Sequence, residues 1–162
     1  MTEAKGQLAE AVRTSVTNVF RDMLGLDAQL LEMKTDHTEL AQSDVSGIIG
    51  IAGGITGSIV FHTRKDLAKT VAGTFLGMEV QEVNDEVRDV VGEMANMIAG
   101  GANTLMSGTE LSFEISLPTV VSGEKFDIRP LTGSDPWTSL RFSAGGMEFA
   151  VDLCVKEEKK AG

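Results

Sequence analysis

Asp89, Glu93 and Asn96 stand at i, i+4 and i+7. If their segment is helical, two carboxylates and a carboxamide share one face. A carboxylate in such a place can pair with a partner's cation. A carboxamide both donates and accepts, so it can hold a water in a chosen direction. It takes no proton near neutral pH, which leaves positioning rather than base catalysis as the use for Asn96. With 14 glutamates and 4 asparagines in 162 residues, Glu-x-x-Asn is expected by chance about 0.35 times. The spacing alone therefore decides nothing, and the surrounding element has to.

That element reads as a helix from Asn84 or Asp85 to Met106, stopping before Ser107-Gly108. Taken at about 100° per residue with Asp89 at zero, Glu93 falls near 40°, Asn96 near −20°, Gly100 near 20° and Asn103 near −40°. The five make one polar stripe about 80° wide. Val87, Val91, Met94, Ile98 and Leu105 lie opposite and must face the core, so the stripe must face out. It carries no lysine, unlike an ordinary solvated helix face laced with Glu–Lys pairs. Gly100 costs about 1 kcal/mol relative to alanine at mid-helix. It leaves a flat spot one turn beyond Asn96 where a partner's backbone can approach. Glu93 and Asn96 are the candidate catalytic pair, and Asp89, Gly100 and Asn103 the candidate partner-binding residues. Gly101 lies nearer the core face and suits close packing.

The elements around this helix follow from periodicity. Leu8, Val12, Val16, Val19, Phe20, Met23 and Leu24 recur at helical spacing, and Gly25 suits the stop. Leu30 to Leu40 reads as an irregular strand. Two β-branched runs between Val45 and His62 flank Gly53-Gly54 and predict a hairpin. A phosphate loop is excluded there, because the lysine after the last glycine and the strand-to-helix junction are both missing. Thr63 is placed to cap a helix with Leu67, Val71, Phe75 and Leu76 as its buried stripe, ended by Gly77. A strand is expected over Leu111 to Val121, a turn at Ser122-Gly123, a partly loop segment from Phe126 to Pro136, and a second hairpin about Gly145-Gly146. Hairpin blocks around consecutive helices argue for an α+β fold, an antiparallel sheet built from hairpins with long amphipathic helices packed on it. One domain over residues 1–162 is the expectation, with 1–5 and 156–162 frayed.

The composition limits the partners. The apolar fraction is 42%, the charged fraction 23% and the net charge −10. The lysine and arginine clusters that hold nucleic acid are absent. Cys154 is the one cysteine, so no internal disulfide forms, and His37 and His62 are far apart, so no metal ligand set is expected. The longest apolar-plus-glycine run, Gly47 to Ile55, is well short of the ~20 residues that span a bilayer. The N-terminus has no signal-like apolar stretch. These features fit a cytoplasmic chain with no nucleic-acid or membrane partner. Trp137 is expected to seal the core edge at a strand start, His62 to be a strand-end polar residue, and Cys154 to be a buried inert thiol.

The run Val87-Arg88-Asp89-Val90-Val91-Gly92-Glu93-Met94-Ala95-Asn96 through Asn103, with Pro118 downstream, resembles the signature helix of the CheC/CheX/FliY family of bacterial chemotaxis phosphatases. The resemblance extends to the N-terminal helix, the Ser46–Thr63 hairpin and the closing strands. Only one Glu-x-x-Asn is present: Glu10 meets Arg13 and Asp66 meets Lys69 at the matching offset. That favours the one-site CheX branch over the two-site CheC branch. The resemblance implies a CheC-like fold, and hydrolysis of the aspartyl phosphate on the response regulator CheY. Asn96 would orient the attacking water and Glu93 would engage the receiver's lysine. It implies Mg²⁺ on the receiver with no cofactor on this chain, and a homodimer joined through its sheets. A non-enzymatic chemotaxis or flagellar-switch adaptor of the same fold is the alternative. A small-molecule binding domain has no convergent polar residues to support it.

Overall fold

The computed structural model describes residues 2–35, 42–129 and 136–158. Helix α1 (Glu3–Val19) is capped by Thr2, whose hydroxyl accepts from the Lys5 N–H at 3.2 Å. It runs without a break into a wider π turn, Phe20–Leu24, and stops at Gly25 with φ 64°. Strand β1 (Gln29–Thr35) follows; the rest of the strand expected to Leu40 lies outside the described residues. Strands β2 (Ser43–Gly53) and β3 (Ile55–Thr63) form the expected hairpin. Then come α2 (Lys65–Leu76) and α3 (Asp85–Met106). Strands β4 (Phe113–Ile115), β5 (Thr119–Phe126), β6 (Thr138–Ala144) and β7 (Met147–Glu157) complete the chain. Gly145 and Gly146, both at positive φ, turn the β6–β7 hairpin.

All pairings are antiparallel. The sheet order is β1-β6-β7-β3-β2, and β4 and β5 share the outer side of β2. Strand alternation sends Val45, Ile49 and Ile51 of β2 into the core, with Ile59 and Phe61 of β3 and Val151 and Leu153 of β7. The helices cover this face. Phe20, at the end of α1, stacks on Phe149 with centroids 4.5 Å apart and meets Phe61 edge-on at 6.4 Å. These aromatic pairs join the first helix to the middle of the sheet.

Several expectations give way to tertiary context. The single strand over Leu111 to Val121 is two strands, β4 and β5, interrupted at Pro118, which has no N–H for a ladder. Ser122 and Gly123 lie inside β5, next to a register shift opposite Ser43–Val45, rather than in a turn. Lys156 and Glu157 belong to β7, paired with Thr56 and Ile55. Gly54 is required by more than the hairpin: a Cβ there would run into the backbone of Glu110 and Leu111, which crosses it. Leu76 is exposed rather than part of the α2 stripe, whose buried positions are Leu67, Ala68, Val71 and Ala72.

Helix α2 also takes its cap from elsewhere. Thr63 donates its hydroxyl to the Val45 carbonyl at 2.7 Å. The cap is the buried Asp44 carboxylate, which accepts from the Lys65 N–H at 2.9 Å and the Arg64 guanidinium at 3.1 Å, and from the Lys125 N–H at 2.8 Å. One side chain thus ties the start of α2 to the bulge of β5. Burial alone would raise the Asp44 carboxyl, but these donors outweigh it and hold it below its ordinary value of 3.8. Its contribution to stability is full above that value and is lost as pH falls through the lower folded one. Asp44→Ala should destabilise the fold by about 2–3 kcal/mol, since it leaves two backbone donors unpaired. Urea titration at pH 7 reads the loss, and the gap to the wild type should shrink in acid.

Candidate functional site

Helix α3 starts where Asn84 Oδ1 accepts from the Val87 N–H at 3.0 Å, and Asp85 and Glu86 in its first turn suit the positive end of its dipole. Two contacts set its depth and rotation. Beneath it, a Cβ on Gly47 of β2 would come within 2.7 Å of the Ala95 Cβ and 3.2 Å of the Val91 carbonyl, so the helix lies almost on the strand backbone. Beside it, α1 crosses at Gly101, where any side chain would strike Ser15. The Ser15 hydroxyl donates to the Ile98 carbonyl at 2.7 Å. Gly101 is therefore a packing glycine, as expected from its angle. Val87, Val91, Met94 and Ile98 are fully buried. Leu105, expected among them, is 52% exposed. It falls in the last turn of α3, where it borders an open groove with Gly6, Gln7 and Glu10 of α1.

With the apolar side fixed inward, the polar stripe faces out. Asp89 and Glu93 are exposed, and Asn96, Gly100 and Asn103 are half-buried. No hydrogen bond or ion pair to the Glu93 or Asn96 side chain is found among the described residues. Arg88, the cation next to the stripe, is held by Asp85 at 2.7 Å. Both candidate working groups thus face outward without an internal partner. Gly100 is open, since a Cβ there would meet only Ile115 Cδ1, at 3.9 Å. Asn103 is engaged internally, because its Oδ1 accepts from the Phe113 N–H at 3.3 Å and ties α3 to β4.

The β4–β5 connector runs along one flank of the stripe. Ile115 lies by Gly100, and Pro118 and Val120 lie by Gly92, so the connector passes Asn96 on its way. Ser116 fastens it to β2. Its N–H donates to the Gly50 carbonyl at 2.8 Å, and its hydroxyl accepts from the Gly50 N–H at 2.8 Å. Periodicity does not reveal this wall. Apart from Pro118, nothing in Ile115-Ser116-Leu117-Pro118 announces that it borders the helix.

Among the described residues, the other chemistry-bearing side chains do not form a second reactive site. On the sheet face away from the helices, Ser46 Oγ lies 2.8 Å from His62 Nδ1, and His62 Nε2 lies 3.1 Å from Asp152 Oδ2. These are the residue types of a hydrolytic triad, but none is more than 3% exposed, so no substrate reaches the hydroxyl. His62 is thus a member of a buried network rather than a strand-end residue. Cys154 is half-buried beside it, and burial together with the Asp152 charge pushes its thiol up to about 12. Trp137 is buried one residue before β6. Among the described residues no three His, Cys, Asp or Glu side chains gather as a metal ligand set, and no helix is long and apolar enough to cross a membrane.

Comparison with known proteins places the stripe inside a matched region. Residues 45–140 match the family model described as chemotaxis phosphatase CheX. The chain is 32% identical over 125 residues to the CheY-P phosphatase CheX of Thermotoga maritima, covering 76% of this chain and 80% of that one. A CheC-like superfamily protein from Shewanella sp. PV-4 superposes with a TM-score of 0.86 at 27% identity, over 96% of this chain and 99% of that one. CheX in a CheX–CheY–BeF3–Mg²⁺ complex from Borrelia burgdorferi superposes with a TM-score of 0.73 at 28% identity, over 93% and 98% of the two chains.

The seating of α3 is open to direct test. Gly47→Val should destabilise the fold by about 1–3 kcal/mol, because the added atoms must push the helix from the strand. Ala95→Gly in the same chain should recover part of that loss. A double-mutant cycle by urea denaturation measures the coupling.

Proposed function

The chain belongs to the CheX family of chemotaxis phosphatases, and we propose on that footing that Asn96 and Glu93 are the residues with which it hydrolyses the aspartyl phosphate of CheY. The observation that carries this reading is the outward-facing pair itself, one helical turn apart, without internal partners, on a helix whose rotation is fixed.

Hydrolysis of an acyl phosphate needs a water oxygen to bond to phosphorus as the bond to the aspartyl oxygen breaks. The products are a free aspartate and inorganic phosphate, and the water's protons end on phosphate and solvent. The transition state is governed by alignment and charge neutralisation. Mg²⁺ and a lysine on the receiver supply the positive charge. Asn96 holds the water in line with the breaking bond, accepting through Oδ1 or donating through Nδ2. Glu93 pairs with the receiver's lysine and sets the register of docking. Asp89 and Gly100 belong to the docking surface, and Asn103 contributes from its edge with the amide nitrogen that its bond to Phe113 leaves over. The complex of the Borrelia relative supports this division, since it holds Mg²⁺ and beryllofluoride together with CheY.

Residues 1–162 act as one phosphatase domain in the cytoplasm, where a phosphorylated receiver is met. A homodimer joined through the sheets has an available edge in β1, which among the described residues pairs with β6 alone. Light scattering coupled to size exclusion tests the dimer.

Decay of a ³²P-labelled CheY-type receiver, followed with and without this chain, tests the reading. Asn96→Ala should lower the acceleration on the order of 10²-fold with an unchanged circular dichroism spectrum. Binding of the phosphorylated receiver without any acceleration by the wild type would instead identify an adaptor. Gly100→Ala gives a second arm. Its Cβ fits and removes a helix penalty of about 1 kcal/mol, so melting should rise. If the partner uses the flat spot, hydrolysis should fall at the same time.

A further inference from the structure

Leu117 is 88% exposed, the most exposed large hydrophobic side chain among the described residues. Single apolar residues on a surface need no explanation. Its setting is what sets this one apart. The residue before it is locked to β2 by two hydrogen bonds, between Ser116 N and Gly50 O and between Gly50 N and Ser116 Oγ. The Ser116 hydroxyl also donates to the Leu117 carbonyl at 2.9 Å. The residue after it is a proline, with fixed φ, packed toward Gly92. The backbone that presents Leu117 is therefore held on both sides, and the connector passes Asn96 between its contacts at Gly100 and Gly92.

The chain's own acidity makes an apolar contact useful at this point. The chain carries a net charge of −10, and the stripe adds Asp89 and Glu93 where a phosphorylated group must approach. Long-range attraction does little for that encounter. An apolar side chain adds affinity without adding charge, and one on a backbone already held adds only its own rotamer freedom to the entropy lost on binding.

We infer that Leu117 is an affinity anchor for the phosphorylated receiver, seated against an apolar patch beside the receiver's phospho-aspartate pocket while Asn96 and Glu93 enter it. The inference rests on the reading of α3 as the catalytic helix, because the anchor is continuous with that surface. Leu117 is a positioning residue. It touches neither phosphate nor water, so its signature is in KM and not in kcat.

The test is steady-state dephosphorylation of a phosphorylated CheY-type receiver by wild type, Leu117→Ser, Leu117→Met and Asn96→Ala. Leu117→Ser should raise KM by about tenfold, the scale of burying part of a leucine side chain, with kcat within twofold. Leu117→Met should stay near wild type. Asn96→Ala should lower kcat with little change in KM. An unchanged KM in Leu117→Ser overturns the inference. So does a fall in kcat with a lowered melting temperature, or a change of oligomeric state on size exclusion, which would make a second copy of this chain the occupant. A wild type that does not accelerate decay overturns the reading of α3, and the anchor with it. A wild type that does, alongside an indifferent Leu117→Ser, overturns the anchor alone.

Discussion

The contact on which the rest depends is the near-backbone approach of α3 to β2 at Gly47 and Ala95. With a side chain at Gly47, the helix would have to rise or roll, since the Ala95 methyl and the Val91 carbonyl already occupy that space. Ser15 at Gly101 fixes the second coordinate from α1. Two contacts about two turns apart leave a rigid rod no freedom to rotate. Whatever α3 presents to solvent is presented at one angle, and water alignment in phosphoryl transfer is an angular requirement. A looser helix with the same sequence would carry the same carboxamide at a spread of directions.

This explains which parts of the molecule were legible from the chain alone. Local signals hold where the physics is local. Asn84 caps α3 because the orphan donors lie within three residues of it. Gly145-Gly146 turns a hairpin because the turn needs positive φ at adjacent positions. The polar stripe of α3 follows from one helical period. Local signals fail where the deciding partner is distant in sequence. Asp44 caps α2 from across the β2–β3 hairpin, 21 residues before Lys65, and Thr63, the nearer candidate, is spent on Val45. Leu105 has the right angle for the core, but in the last turn of α3 the covered side lies at Ala102 and Met106 instead. Gly54 reads as a turn residue, and the crossing backbone of Glu110–Leu111 that forbids a Cβ has no signature near it.

The site shows the same division. Glu93, Asn96 and the open face of Gly100 come from spacing on one element. The wall that completes the surface comes from β4 and β5, which reach α3 only because both pair with β2. Asn103 joins the two parts. It belongs to the stripe by angle, yet its bond to the Phe113 N–H secures the start of the wall. The stripe therefore offers unpaired polar groups at its centre and structure at its far end. Periodicity weights those positions equally, because angle carries no information on which strand lies alongside.

The two faces of the sheet place their polar groups in opposite ways. Ser46, His62 and Asp152 are buried and joined to one another, so most of their hydrogen-bonding capacity is spent on holding β2, β3 and β7 together, although Asp152 Oδ1 makes no hydrogen bond among the described residues. Glu93 and Asn96 are left with theirs unspent. An unpaired carboxylate and carboxamide are costly when buried and cheap in water. The only inexpensive place to keep reactive groups unpartnered is therefore an exposed ridge, and desolvation is deferred until a partner closes over it. If Glu93 and Asn96 act as proposed, closure strengthens every interaction at the moment the phosphoryl group is in reach. On the proposed reading, a scaffold that pairs most of its polar groups inside and leaves two unpaired on a rigid outer helix needs no pocket, because the partner brings the enclosure.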